Sequence, residues 1–577
     1  MEKWVVSAKR ADFKEIGRKF GIDQVTARLI RNRDVVGDAA IEEYLNGSLR
    51  NLPSPHLLKD CDKAVSILAE KIEEQKKIRI LGDYDIDGVC STYILYQGLK
   101  RCGANVDTEI PDRMKDGYGI NEHLVALAGE DGVDTILTCD NGISAVTQVE
   151  YAKSLGMTVI ITDHHELPPE LPRANAIVNP KQEDCPYPYK GLCGGAVAYK
   201  VICCLYETMG IPSEEAQELI EFAAIATVGD VMELTGENRI LVKEGLYRIG
   251  QTKNPGLRAL IRVNGLDPDQ ISAYHIGFVL GPCINASGRL DTAKRALGLL
   301  LAENDQDALI LAQELKDLND ERKDMTRKGV EQAIEFIEHS SLKEDKVLVV
   351  FLPECHESLA GIIAGRIRER YYRPAFVLTR GEESVKGSGR SIEAYHMFQE
   401  MEKCRELFLK FGGHPMAAGL SIQEDKVDLL RRELNRLTTL TQEDLTPKVT
   451  IDIPMPIDYI TENLIGELEY LEPFGKGNPK PLFAEKGLQV LGGRILGKNK
   501  NVIKLQVRNL HGSVMDAMYF GDTQVLLAYL REKFGDSQVE RMLQNRTSSI
   551  FLTVTYYPTV NVFRDTRTLQ IVIQNYQ

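Results

Sequence analysis

The sequence predicts a multidomain α/β protein: a parallel-sheet domain, a long connecting helix, a second α/β unit and a small C-terminal β-barrel or sandwich. Three observations predict it. Between residues 76 and 180 short apolar runs alternate with helical segments, the βαβ rhythm of a mostly parallel sheet with helices on its faces. A charged helical stretch containing ELKDLNDERKDMTRKGVEQAIEFIE comes next. Beyond residue 449, several short runs alternate apolar and polar residues and read as strands of a closed or sandwiched sheet.

In chain order, residues 1–75 read as a polar N-terminal helical arm packed on the domain after it, broken at Asn51-Leu52-Pro53-Ser54-Pro55. The parallel-sheet domain is expected over 76–294, with strands at 78–81, 135–139, 158–162 and 176–178 and a helix at 145–155. Residues 281–290, GPCINASGRL, read as a loop of small residues that presents Arg289. The connecting helix spans 295–342 and reads as a solvated link. The second α/β unit, 343–440, has strands at 346–351 and 375–378, a helix at 358–371 and glycine-rich turns at 387–391 and 412–419. A polar linker precedes the strand-rich 449–577, with strands at 488–491, 502–507, 514–520, 551–557 and 569–574.

A chain of 577 residues accommodates roughly three or four domains. Its 43% hydrophobic and 27% charged residues are ordinary for globular protein. A formal charge of −14 argues against a surface coated in positive potential, yet leaves room for a local basic groove. The 11 cysteines are odd in number, irregular in spacing and form no Cys-x-x-Cys pair. They are expected to be reduced, mostly buried thiols of a cytoplasmic protein, neither a disulfide framework nor a zinc site. No uncharged apolar run reaches the ~18 residues of a membrane span, and the first residues lack the apolar core of a signal peptide.

The chemistry concentrates at strand ends. LGDYDIDGVCS, residues 81–91, places Asp83, Asp85 and Asp87 where a strand breaks into a helix. Three carboxylates so close repel one another, and a hard divalent cation is the usual offset. The next strands end in Asp140 and in Asp163-His164-His165, and an apolar run ends in Gly229-Asp230. Ligands of parallel sheets gather at the carboxyl ends of the strands, so these clusters are expected to share one edge. Asp85, Asp87, Asp140, His164 and Asp230 supply four carboxylates and one imidazole, a set for Mn²⁺ or Mg²⁺. Two ions bridged by one carboxylate would serve in-line attack on phosphorus. Glycine-rich backbone beside Ser388 and Arg390, and beside Arg289, suits a phosphate cradle.

These motifs, in this order, resemble those of the DHH phosphoesterase superfamily: Asp83-Tyr84-Asp85-Ile86-Asp87-Gly88, Asp140-Asn141-Gly142-Ile143, Thr162-Asp163-His164-His165 and Gly229-Asp230-Val231. Gly412-Gly413-His414 with Ala417-Ala418-Gly419 resembles the signature of its associated second domain. GPCINASGRL, SLAGIIAGRIRERYYRP, GSGRS and LEPFGKGNP narrow the resemblance to the branch of single-strand-specific 5′→3′ DNA exonucleases.

The resemblance implies a two-metal nuclease using Mn²⁺ or Mg²⁺ that degrades single-stranded DNA to 5′-mononucleotides in repair and recombination. It implies Asp85, Asp87, Asp140, His164 and Asp230 as metal ligands, with Asp140 the bridge. Asp83 is a further ligand or an acid behind the ligands. Asp163 orients its neighbours, and His165 contacts the scissile phosphate. Arg113, Arg289, Ser388 and Arg390 would hold the 5′ end, and His414 contacts the strand or plugs a tight turn. The C-terminal unit resembles an oligonucleotide-binding (OB-like) barrel, with Tyr519, Phe520, Tyr556, Tyr557 and Phe563 as stacking candidates that each fit the core better. The implied partners are single-stranded DNA, single-strand-binding protein and a helicase, with the chain a monomer free of membranes. Two rival readings are a small-substrate phosphodiesterase of the superfamily, whose soluble forms lack such a barrel, and an inactive nucleic-acid-binding relative, which would have lost metal carboxylates. Cys283 stands where many members of the branch have Arg, so one phosphate contact is expected to be missing.

Overall fold

The computed structural model describes residues 2–113, 119–497, 499–564 and 566–577. The chain forms two compact units, one of residues 52–447 and one of 2–51 together with 448–577.

The first unit is built on two sheets. The first is all parallel: β1 (Lys77–Leu81), β2 (Asn105–Glu109), β3 (Thr135–Cys139), β4 (Thr158–Thr162) and β5 (Ala176–Val178), in the order β2-β1-β3-β4-β5. The inner strands are buried on both faces, as their unbroken apolar runs require. The edge strand β2, NVDTE, lacked that signal because it alternates with charge. Arg79 lies buried within β1 and is held by Asp107 (2.7 and 2.8 Å) and Asp131 (2.8 Å). Helices α1 (Ile86–Arg101) and α2 (Gly194–Met209) pack on the sheet and on each other, and α3 (Ile220–Gly229), almost wholly apolar and buried, packs on both.

GPCINASGRL is not a loop. It forms helix α4 (Gly281–Leu290), and its small residues serve close packing. A Cβ on Gly288 would stand 2.3 Å from the Tyr84 carbonyl oxygen. Asn285 Oδ1 accepts the Ile86 N–H (2.8 Å), so α4 is sewn onto the aspartate-rich turn. Cys283 is fully buried, its sulfur beside the side-chain amides of Asn264 and Asn319.

Helix α5 (Asp305–Glu338) has 34 residues, about 50 Å of length. It is not wholly solvated. Ala308, Ala312, Leu315, Asn319, Thr326, Gly329, Ala333 and Ile337 recur at helical spacing and are buried. The second sheet comes after it: β6 (Leu348–Phe351), β7 (Ala375–Arg380), β8 (Val385–Arg390), β9 (Phe408–Gly413) and β10 (Ala417–Ile422), in the order β9-β10-β8-β7-β6, with α6 (Ala360–Tyr371) between β6 and β7. The glycine-rich stretches expected as turns are strands, and only residues 414–416 turn between β9 and β10. Glycine at 389 answers to crowding, because a Cβ there would meet Met397 Sδ at 2.5 Å.

In the second unit a five-strand ring closes: β11 (Phe483–Leu496), β12 (Val502–Arg508), β13 (Val514–Tyr519), β14 (Phe551–Phe563) and β15 (Thr566–Tyr576). β11 pairs with both β12 and β14, and β13 with β15 in parallel, which gives a barrel. Two helices between β13 and β14, Thr523–Phe534 and Asp536–Leu543, were not expected. Tyr519, Tyr556 and Tyr557 are core, while Phe520 and Phe563 are exposed.

Residues 2–51 belong to this unit. Strand Lys3–Val6 pairs in parallel with Lys448–Ile451, and Val25, Leu29, Ile30 and Tyr44 share one apolar cluster with Leu468, Leu471 and Phe483. Tyr44 Oη bonds to Asn478 Oδ1 (2.9 Å), and the Asn478 amide donates to the carbonyls of Leu471 and Pro473. Asn478 of LEPFGKGNP thus fastens the arm beneath the barrel. Truncating fully buried Leu29 to Ala should cost about 2–5 kcal/mol. Amide hydrogen exchange checks it: protection should fall in β11 and β14 and hold in β1 and β3.

Candidate metal centre and phosphate pocket

The strand ends of the first sheet meet as expected. The three turns after β1, β3 and β4 bring Asp83, Asp85, Asp140, His164 and His165 together, and the end of α3 adds Asp230. One oxygen each of Asp83, Asp85 and Asp140 lie within 4.8 Å of one another. So do donor atoms of Asp87, His164 and Asp230, and of Asp140, His164 and His165. His164 Nε2 is the hub, 3.0 Å from Asp140 Oδ1, 3.5 Å from Asp87 Oδ2 and 3.7 Å from Asp230 Oδ2.

Backbone N–H groups hold the carboxylates. Asp85 caps α1, its Oδ1 accepting from the N–H of Asp87 (3.0 Å) and Gly88 (3.1 Å). Asp87 receives the first N–H groups of α2, Gly194 onto Oδ2 and Gly195 onto Oδ1, both at 2.7 Å. A Cβ on Gly194 would stand 2.7 Å from the Asp140 Cβ, so glycine lets this helix end approach. Asp140 itself has φ of 60°, a strained position for a non-glycine residue, and its neighbour Asn141 pins the turn by donating to the carbonyls of Leu81 and Cys139. Asp163 does not point into the cluster's middle. Its carboxylate accepts the N–H of Ile143, His164 and His165, and His165 Nδ1 at 2.8 Å.

The electrostatics show an unbalanced site. Burial, then the neighbouring carboxylate of Asp85, pushes Asp83 up to about 8. Burial also raises Asp85, helped by Asp87, and raises Asp140 further against Asp87, Asp85 and Asp83. Burial lowers His164. The Asp163–His165 pair runs the other way. Burial opposes both charges, yet their mutual hydrogen bond lowers the acid and raises the imidazole. Asp83 Oδ1 and His164 Nδ1 are buried without a hydrogen-bond partner among the described residues. Orphaned acceptors amid crowded carboxylates, with one imidazole, fit a divalent cation of the Mg²⁺ or Mn²⁺ kind.

Positive charge collects beside them. The Arg113 guanidinium lies 4.9 Å over the ring of Tyr84, the residue between Asp83 and Asp85. Burial lowers Arg289 to about 10, with Arg113 and Arg322 next in effect, and burial lowers Arg390, with Arg368 and Arg113 next. Arg289 donates to the Ser358 carbonyl (3.0 Å). Ser388 Oγ and Arg390 Nη2 crowd Gly361 in the first turn of α6, so the guanidiniums and a helix N-terminus face one small region. Arg322 and Arg368 were missed from sequence, since lone arginines on charged helices carry no signal. Each has a buried Nε without an acceptor among the described residues. His414 sits exposed in the β9–β10 turn, near enough to Glu166 to help lower that carboxyl after Lys181 does so.

Comparison with known proteins bears out the resemblance read from the motifs. The model of the DHH family's N-terminal domain matches residues 77–227, that of the DHHA1 domain 344–439 and that of the RecJ OB domain 451–575. The single-stranded-DNA-specific exonuclease RecJ of Bacillus subtilis (strain 168) is 38% identical over 523 residues, 90% of this chain. This chain spans 66% of that relative's length. The RecJ of Escherichia coli (strain K12) is 35% identical over 570 residues, 95% of each chain. The crystal structure of RecJ in complex with Mn²⁺ from Thermus thermophilus matches with a TM-score of 0.83 at 27% identity, over 100% of this chain and 79% of that one.

The site predicts a pH signature. Asp83 keeps its proton to about pH 8 in the metal-free fold but loses it in the usual carboxylate range when unfolded. The folded state then binds more protons between those limits, so metal-free stability should fall as pH rises towards 8 and level above it. Thermal midpoints in chelator across this range should show the fall, and saturating Mn²⁺ should flatten or reverse it. Identical slopes with and without Mn²⁺ would contradict the reading.

Proposed function

The chain belongs to the RecJ family, and we propose that it hydrolyses single-stranded DNA from the 5′ end and releases 5′-mononucleotides. One observation carries this reading: Tyr84, between Asp83 and Asp85 of the carboxylate cluster in sequence, lies under the Arg113 guanidinium and within the field of Arg289.

In this proposal Asp85, Asp87, Asp140, His164 and Asp230 would hold two ions of Mn²⁺ or Mg²⁺, with Asp140 as the shared ligand and Asp83 nearby. When bound, such ions would supply an activated water and offset charge on the phosphate oxygens. The chain does the rest. The Asp163 carboxylate fixes the His165 imidazole and favours its charged form, which suits a donor to the developing oxyanion. Arg113, Arg289, Ser388 and Arg390, with the α6 N-terminus, take a terminal phosphate, and bidentate guanidinium contacts orient it. Tyr84 and the glycine contact between α4 and the aspartate turn set the spacing from that phosphate to the scissile one. A fixed spacing allows one cut per register and so enforces polarity from the 5′ end. His414 lines the strand's path.

The RecJ OB match favours a long strand over a dinucleotide. Phe520 and Phe563, exposed on the barrel, are its stacking candidates. We assign the chain to the cytoplasm as a monomer that works beside a helicase and single-strand-binding protein in repair and recombination. No helix among the described residues is long and apolar enough to cross a membrane.

Digestion of end-labelled strands tests the reading. With Mn²⁺, a 5′-labelled single strand should yield labelled mononucleotide first, and Asp140→Ala should yield none. Arg390→Ala should lose about 10–100-fold on a 5′-phosphorylated strand, the worth of one charge-assisted hydrogen bond, and little on a 5′-hydroxyl strand. Release from the 3′ end, or undiminished activity in Asp140→Ala, would overturn it.

A further inference from the structure

A second group of mixed donors lies in the first unit. His56, in the short turn Pro55–Leu57, meets Asp62 in the first turn of the helix Cys61–Glu73, and Cys204 with Glu207 on α2. Cys204 is ten residues along α2 from Gly194, about 15 Å from the helix end that holds Asp87. The group is therefore separate from the carboxylate centre.

We propose that His56 Nδ1, Asp62 Oδ1 and Cys204 Sγ form a site for a divalent transition-metal ion of the zinc class. The three atoms lie within 4.8 Å of one another. Cys204 Sγ is 3.4 Å from Asp62 Oδ1 and 3.7 Å from His56 Nδ1. A tetrahedral zinc with bonds of about 2.0 Å to N and O and 2.3 Å to S has S···N and S···O edges of about 3.5 Å. Both sulfur edges are already near that length. The His56–Asp62 edge, at 2.5 Å, has to open to about 3.3 Å, which two exposed side chains do easily.

The other ring nitrogen completes the pattern. His56 Nε2 lies 2.8 Å from Glu207 Oε2. A carboxylate on the far nitrogen is the usual support of a metal-binding histidine, because it fixes the tautomer and turns the lone pair of the near nitrogen to the metal. Cys61, fully buried, hydrogen-bonds to Cys204 and so supports a thiolate there. The donors mix S, N and O, which suits zinc or cobalt and disfavours the hard ions of the carboxylate centre. As the ion enters, the Cys204 thiol proton and the proton on His56 Nδ1 leave to solvent. The fourth position is open to water, since His56 and Asp62 are exposed. Such an ion would tie the entry segment of this unit, the turn at Pro55–Leu57 and the start of the helix Cys61–Glu73, to the helix α2 whose first N–H groups clasp Asp87. The cysteine spacing carries no zinc signal because two ligands and the supporting glutamate are not cysteines.

Cobalt binding to the full chain, stripped with chelator, tests this. A thiolate-to-cobalt charge-transfer band in the near ultraviolet should saturate at the amplitude of one thiolate-bound cobalt per chain. It should vanish in Cys204→Ser and in His56→Gln, which leaves the buried thiol untouched, and persist in Asp140→Ala. Glu207→Gln should weaken binding by about 10–100-fold. Absence of the band from the wild-type chain, or a band unchanged in Cys204→Ser, would overturn the proposal and leave the group an ion-pair network only.

Discussion

Like charges forced together in a buried place are the constraint on which the first unit depends. Asp83, Asp87 and Asp140 are buried and Asp85 is half-buried, and burial drives Asp83, Asp85 and Asp140 towards the neutral acid. Backbone N–H groups from the starts of α1 and α2 offset part of that charge. They cannot offset all of it. The parallel sheet exists, in functional terms, to bring these strand ends to one edge and hold them there against their repulsion.

The same logic runs with opposite sign a residue away. Arg113, Arg289 and Arg390 repel one another and lie partly buried, so their pocket favours an anion as surely as the carboxylates favour a cation. Tyr84 adjoins both, next to Asp83 and Asp85 in sequence and under the Arg113 guanidinium. In the proposed reading a nucleic-acid terminus would satisfy both at once, one phosphate against the guanidiniums and the next against the carboxylate centre. Neither half gives direction to the reaction alone. In that reading polarity would come from the distance between them, and the close approach of Gly288 to the Tyr84 carbonyl holds α4 against the aspartate turn.

Much of this was legible in the sequence, and the physical reason is that metal carboxylates must sit at strand ends. Three inner strands of the first sheet end where the apolar runs end, and every cluster falls one to six residues beyond. The failures are equally informative. GPCINASGRL and the glycine stretches 387–391 and 412–419 look like loops because small residues usually punctuate structure. Here they are a helix and strands, in which Gly288 answers to crowding by Tyr84 and Gly389 to crowding by Met397. The pairing of Lys3–Val6 with Lys448–Ile451 joins residues some 445 positions apart, which no local pattern can announce. Arg322, Arg368 and His56 are single residues on ordinary segments, and only the fold gives them neighbours.

The central claim is that the carboxylates at the sheet edge are held apart in energy and together in space for two divalent ions. Anomalous diffraction from crystals of the chain grown with Mn²⁺ tests it most directly. The account predicts two peaks, one on either side of the Asp140 carboxylate, with the remaining ligands drawn from Asp85, Asp87, His164 and Asp230. No peak in this cluster, or ions held only at exposed acids elsewhere, would contradict it.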